Sequence, residues 1–319
     1  MGDSQRILLD SNVWRYIVDA RALPDVMRAA RVSKHKILVA PAVLYEAAQT
    51  ANRDTRNVLL SAMSLPLWKR IMPEAYSESE EVKAEVTRLR PEWLRQIPDP
   101  VAFNRFRHDW TRVRGGAWER IKKDVELLKL GDAATRAQAR TQAQELRADA
   151  LDWPASWRDS PLTAVSMRPS FSIRGWDSTP FEPWRFDAMN AFRTSMSTEG
   201  HPAVDWLEGV IDLQLMLFQL PSLTRFWLGD VETRRMPRHW LRWAFEFLQR
   251  QHKVSDGTPV DTQIGTYLVD ADVMLSADKV FVRIATRVKE DAPFPLAQSR
   301  VVPGGAAAVE KVLEVLSAS

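Results

Sequence analysis

Four acidic side chains fall where parallel α/β sheets do their chemistry. Asp10 closes the apolar run Ile7-Leu8-Leu9, and Glu46 lies one helical turn into the segment that follows Lys36-Ile37-Leu38-Val39-Ala40. Asp261 opens a helical segment, and Asp278 follows Val273-Met274-Leu275-Ser276. As strands of one parallel sheet, the three apolar runs share a carboxyl edge, the edge at which such sheets bind ligands. Carboxylates gathered there repel one another, and either raised pKa values or a bound cation relieves the repulsion. An all-oxygen donor set suits a hard divalent ion, Mg²⁺ or Mn²⁺. Such an ion orients a phosphodiester, helps to deprotonate a water and stabilises charge on the leaving oxygen, which is nuclease chemistry. Each acid also has a plainer reading. Asp261 and Asp278 have the place of helix N-caps, Asp10 that of an acid capping the helix after its strand, and Glu46 that of a solvated helix-face acid.

The elements that must position these residues fall into three regions. In residues 1–72 the short apolar runs 6–10 and 36–40 read as buried strands. Segments 12–20, 24–32, 41–51 and 57–67 read as helical, with Pro24 and Pro41 suited to helix starts. In residues 236–319 the expectation is helices over 237–251 and 261–269, a strand over 271–276, a helix over 277–289, an edge strand over 300–302 and a last helix over 306–316. Gly304-Gly305 mark the entry to that last helix. This alternation predicts an α/β fold with a parallel sheet. Residues 73–235 carry no strand signal. Helical composition covers 78–95, 105–130 and 133–151, an aromatic and proline-rich irregular connection covers 152–200, and a helix follows over 201–220 with Val204, Leu207, Ile211 and Leu215 on one face. The expected organisation is a discontinuous α/β domain, 1–72 with 236–319, interrupted by a helical insertion, 73–235.

Within the insertion, residues 103–123 hold seven Lys or Arg against two acids, a local net of +5. Arg105, Arg107, Arg112, Arg114, Lys122 and Lys123 alternate with aromatics, the pattern of a nucleic-acid grip; a basic solvated helix face is the plain alternative. Gly115-Gly116 reads as a turn. Arg234, Arg235, Arg238, Arg242 and Arg250 form a second basic stretch, placed either to flank the acidic edge or to pair with neighbouring acids. Asp270 and Asp272 either reinforce the acidic site or lie at a helix–strand turn.

Composition bounds the rest. The 319 residues suit one large domain or two ordinary ones, and 45% apolar with 27% charged residues supports a globular core. The net charge of +3 and a pI near 9.2 fit a polyanionic partner only weakly. Thirteen tryptophans either fill a helical core or offer stacking platforms to bases. The absence of cysteine excludes disulfides and thiolate metal sites, and it fits a reducing, cytoplasmic setting. No signal peptide is expected from the first residues, and no apolar run approaches the ~20 residues of a membrane span. The five histidines lack metal-ligand spacing and read as structural or surface residues.

Ile7-Leu8-Leu9-Asp10-Ser11-Asn12-Val13 resembles the opening motif of PIN domains: an apolar strand, Asp, a small residue and Asn. Pro41-Ala42-Val43-Leu44-Tyr45-Glu46 resembles their second motif. Asp261 to Ile264, with Leu275-Ser276-Ala277-Asp278-Lys279-Val280-Phe281, resembles their paired C-terminal motifs at similar spacing. The resemblance covers regions one and three, and the insertion departs from the usually compact family. It implies a PIN-like parallel sheet flanked by helices. It also implies that Asp10, Glu46, Asp261 and Asp278 are both catalytic and metal-binding, with Asn12 and Ser276 orienting them. The implied activity is endoribonuclease cleavage of RNA with Mg²⁺ or Mn²⁺, in a toxin-like or RNA-processing enzyme controlled by a partner protein. The insertion would supply substrate grip, a lid, or a surface for a second copy or an antitoxin-like protein. Two other readings stand beside it: a DNA or structure-specific nuclease of related fold, and an inactive nucleic-acid-binding PIN-like module. Retention of all four acids weighs against the last, because such a cluster is costly without a use.

Overall fold

The computed structural model describes residues 4–112, 114–124, 141, 145, 160–250 and 258–317. Strand β1 (Arg6–Leu9) leads through α1 (Ser11–Asp19) and α2 (Leu23–Ser33) to β2 (Lys36–Val39), and α3 (Pro41–Ala48) and α4 (Arg53–Met63) lead to the two-residue β3 (Lys69–Arg70). A long helical excursion follows: α5 (Glu74–Leu89), α6 (Val101–Thr111), α7 (Ala117–Lys123), α8 (Pro183–Ser197), α9 (Pro202–Leu207), α10 (Leu213–Phe218) and α11 (Leu220–Arg225). The chain returns through α12 (Pro237–Gln249), α13 (Thr258–Thr266), β4 (Val273–Ser276), α14 (Lys279–Asp291), β5 (Gln298–Val301) and α15 (Ala306–Ser317).

The five strands form one parallel sheet in the order β3-β2-β1-β4-β5. Ile7, Leu8, Leu9 and Met274 to Ser276 are fully buried, which explains why these strands read as unbroken apolar runs. The steps from β1 to β2 and from β4 to β5 run in opposite directions. Right-handed crossovers therefore set α1 and α2 on one face and α14 on the other. The packing agrees: α1 and α2 meet α15, while α12 meets α13 and α14. The direction of winding reverses between β1 and β4, and the crevice beyond their carboxyl ends is where doubly wound sheets bind ligands.

The α/β expectation and its parallel sheet hold. The differences have local causes. Strand β3 is only two residues long, both of them charged, and carries no periodic signal. Residues 183–197 form a helix instead of continuing the irregular connection, with Pro183 in its first turn. The helix expected over 201–220 breaks after Leu207. There Ile211 pairs with Leu94 as an isolated bridge and Asp212 caps α10 by accepting from Leu215 N–H at 2.9 Å. The helical segment 133–151 and the end of 105–130 lie outside the described residues, apart from the isolated positions 141 and 145. Ten of the eleven described tryptophans are buried and Trp176 is half-buried, so they fill the core and are not stacking platforms.

The insertion is tied to the sheet unit through ion pairs. Buried Glu81 of α5 accepts from Arg238 of α12 at 3.1 Å and lies 3.0 Å from His239 Nδ1. Arg242 reaches Glu74 at 2.7 Å and Glu78 at 2.8 Å, and Arg238 also bonds Asp270 at 2.8 Å. The second basic stretch, as far as Arg235, Arg238 and Arg242 show, pairs with acids of this packing. Asp272 is likewise engaged, 2.7 Å from Arg6 at the amino end of the strands, so neither Asp270 nor Asp272 reinforces the carboxyl-edge cluster. Among the described residues no helix is long and apolar enough to cross a membrane.

Candidate functional site

Asp10 leaves β1 still bound to the sheet, its N–H donating to the Leu275 carbonyl at 3.0 Å. It is also the N-cap of α1, with Oδ1 accepting from Ser11 N–H at 2.7 Å. Its other oxygen, Oδ2, accepts from the Ser276 hydroxyl at 2.6 Å, and the Asn12 side chain adds a further hydrogen bond. Burial nonetheless raises the Asp10 pKa, the hydrogen bonds from Ser276, Ser11 and Asn12 opposing it and the charge of Asp278 adding to the rise. The plain capping role and the carboxyl-edge position thus coexist in one residue.

Ser276 ends β4 and is fully buried. Besides donating to Asp10 it accepts from Asp278 N–H at 3.0 Å, so one hydroxyl links two acids. Asp278 is the N-cap of α14, with Oδ1 accepting from Val280 N–H at 2.7 Å and Phe281 N–H at 3.0 Å. Its second oxygen makes no hydrogen bond to a described residue.

Glu46 sits in α3, a helix that starts at Pro41 directly after β2. It is half-buried rather than solvated, and its pKa is pushed up to about 7 by burial, then by the charges of Asp10 and Asp278, against a hydrogen bond from the Ser11 side chain. Asp261 departs from expectation in detail. Its helix starts at Thr258, one turn earlier, so Asp261 is a first-turn residue and not the cap. Burial and the charges of Asp278, Asp10 and Glu46 push its pKa up to about 8. Helix α13 can bring Asp261 here because it lies close on α12. A Cβ on Gly265 would come within 2.6 Å of the Phe245 ring, a contact only glycine permits.

All four predicted acids are therefore within electrostatic reach of one another at the switch point of the sheet. No lysine, arginine or histidine is among the causes that set the pKa of Asp10, Glu46 or Asp261. As the side chains stand, no group of three or more described His, Asp or Glu residues is gathered tightly enough to chelate an ion. The donor set itself, four carboxylates with uncompensated charge and no sulfur or imidazole, fits a hard divalent cation. Ser11 is a member of the site that sequence reasoning passed over as a mere small residue. Its N–H serves Asp10 and its hydroxyl serves Glu46, and only the α1 N-terminal geometry reveals this.

The basic segment docks on the same sheet edge. Helices α6 and α7 are separated by the expected turn, where Gly115 has φ +66°. Trp110 Nε1 donates to the Ile71 carbonyl at 2.8 Å, just past β3, and Arg70 of β3 stacks on Trp118 and donates to the Arg112 carbonyl at 3.0 Å. Strand β3 lies two steps from β1, on the order of 10 Å away. Arg105, Arg107, Arg114, Lys122 and Lys123 are exposed. Arg112 is half-buried and paired with Asp109 at 2.9 Å, which removes it from the free basic surface. Trp110 and Trp118 are buried, so these two aromatics anchor the segment and do not present stacking faces.

The histidines are structural or peripheral where described. His35 Nδ1 accepts from Gln5 N–H at 3.0 Å, and His201 Nδ1 accepts from Ala203 N–H at 3.2 Å. Comparison with known protein families, with curated proteins and with solved structures finds no match to this chain. Function is accordingly argued from the chemistry of the site.

Proposed function

We propose that the chain is a metal-dependent nuclease that hydrolyses RNA phosphodiester bonds endonucleolytically. The observation that carries this reading is the meeting of Asp10, Glu46, Asp261 and Asp278 at the carboxyl edge of β1 and β4, with the pKa values of Asp10, Glu46 and Asp261 raised and no Lys, Arg or His among the causes that set them. These four carboxylates would hold Mg²⁺ or Mn²⁺, which when bound supplies an activated water and charge stabilisation at a phosphodiester. The chain's own contributions are positional. Ser276 and Asn12 hold the Asp10 carboxylate, Ser11 holds Glu46, and the α14 N-terminus fixes Asp278. Such pre-set orientation is what a site that develops charge during reaction requires. The exposed cations of α6 and α7, beside β3 on the same edge, suit the phosphate backbone of the substrate.

The test is cleavage of end-labelled single-stranded RNA, duplex RNA and DNA with Mn²⁺ or Mg²⁺, comparing wild type with Asp10→Asn and Asp261→Asn. Cleavage of RNA that is abolished by EDTA and by each substitution is the expected result. Equal cleavage by wild type and both folded variants would refute the assignment, and a preference for DNA would refute the choice of substrate.

A further inference from the structure

A cavity of ≈540 Å³ opens between α5, α8, α9 and α12, with Gln263 of α13 also in its lining and none of Asp10, Glu46, Asp261 or Asp278. That volume is within the roughly 300–1,000 Å³ of small-molecule sites. One side is apolar, formed by Phe192, Leu207 and Trp243. Its polar lining carries four carboxylates, from Glu74, Glu78, Asp187 and Glu246, with Arg242, His201 and His239. Arg242 is already committed, lying 2.7 Å from Glu74 and 2.8 Å from Glu78. Asp187 and Glu246 are different. Neither carboxylate accepts a hydrogen bond or closes an ion pair with any described residue, although the charge of Arg250 acts on both and that of Arg242 on Glu246. Burial raises the pKa of both. Desolvated carboxylates with no donor among the described residues are costly when ionised, and a ligand that supplies N–H groups would relieve that cost.

We propose that this cavity binds a small organic cation, a primary ammonium or guanidinium on an apolar stem, with its N–H groups on Asp187 and Glu246 and its stem along Phe192, Leu207 and Trp243. The apolar wall offers nothing to a bare metal ion, which favours the organic class. None of the four proposed metal-binding acids lines the cavity, and the test needs no nuclease readout.

The experiment is isothermal titration of the full chain with 4-phenylbutylammonium and with agmatine, against the neutral isostere 4-phenylbutanol and against MnCl₂. Saturable one-to-one binding of a cationic probe is expected, with the alcohol at least about tenfold weaker, as fits the loss of charge-assisted hydrogen bonds. Asp187→Asn and Glu246→Gln should each weaken the cation by about tenfold. Absence of saturable binding by both cationic probes would overturn the proposal, as would equal binding of the alcohol, Mn²⁺ competing for the same site, or undiminished affinity in the folded double variant. Should a variant not fold, the comparison of 4-phenylbutylammonium with 4-phenylbutanol on wild type still decides.

Discussion

Replacing Ser276 by alanine removes a single oxygen from the centre of the acidic edge. That oxygen makes two hydrogen bonds in a fully buried position: it donates to Asp10 Oδ2 at 2.6 Å and accepts from Asp278 N–H at 3.0 Å. A bond to an ionised acceptor contributes about 1.5–3 kcal/mol and a neutral one about 1 kcal/mol. The space vacated is too small to admit a water in its place. The expected loss is therefore about 3 kcal/mol where Asp10 is ionised and about 2 kcal/mol where it is protonated. Urea denaturation followed by the fluorescence of the buried tryptophans measures the loss. Because the Ser276 bond is one of those that lower the Asp10 pKa, the variant should also titrate Asp10 at a higher pH than wild type. A loss below about 0.5 kcal/mol would refute the claim that this hydroxyl carries the acid pair.

Gly265→Ala should destabilise the chain by about 1–3 kcal/mol through overpacking on Phe245, and Phe245→Leu in the same chain should recover part of the loss; additive effects would sink the contact argument. Glu74 has its folded pKa pushed up to about 7, above its ordinary value, so the folded state binds the proton more tightly and stability falls as pH rises from about 4.5 to about 7. Glu74→Gln should flatten that part of the stability–pH curve measured by denaturation at a series of pH values, and an unchanged slope would contradict the assignment. Arg105→Glu with Arg107→Glu should leave the melting temperature unchanged. It should lower the slope of log affinity against log salt for single-stranded RNA by about 1.4, at about 0.7 per lost contact, and filter binding at several salt concentrations reads the slope. Mn²⁺ at a hundredfold excess over its Kd should stabilise wild type by about 2.7 kcal/mol, and Asp261→Asn should lose most of that gain in a thermal melt.

Much of the sheet was legible because strands buried on both faces have no alternation to disguise them. Ile7-Leu8-Leu9 and Val273-Met274-Leu275 read as apolar runs and are β1 and β4. Asp10 and Asp278 were legible for the same reason, since a polar residue at or just past the end of such a run is conspicuous. Strand β3 was not, because Lys69 and Arg70 owe their strand character to pairing with Leu38 and Val39 alone. The insertion was poorly legible because its interior is partly ionic. Glu81 and Glu85 are buried in α5, where a periodicity of apolar residues would place them outside, and only their arginine partners explain them. The start of α13 was misplaced because Asp261 has the sequence character of a cap, whereas its role is set by neighbours far away in the chain.

The pairing of β1 with β4 has a consequence for the order in which the protein is made. The Ser276–Asp10 hydrogen bond closes a separation of 266 residues, and β2, the other neighbour of β1, is synthesised early. On the ribosome, Asp10 and Glu46 emerge long before Asp261 and Asp278, and the apolar edge of β1 waits for its second partner through the whole helical excursion. Contacts so distant in sequence form slowly. A nascent chain, or one truncated ahead of Asp261, holds only half of the carboxylate set, so the acidic edge cannot assemble until Asp261 and Asp278 have both been made.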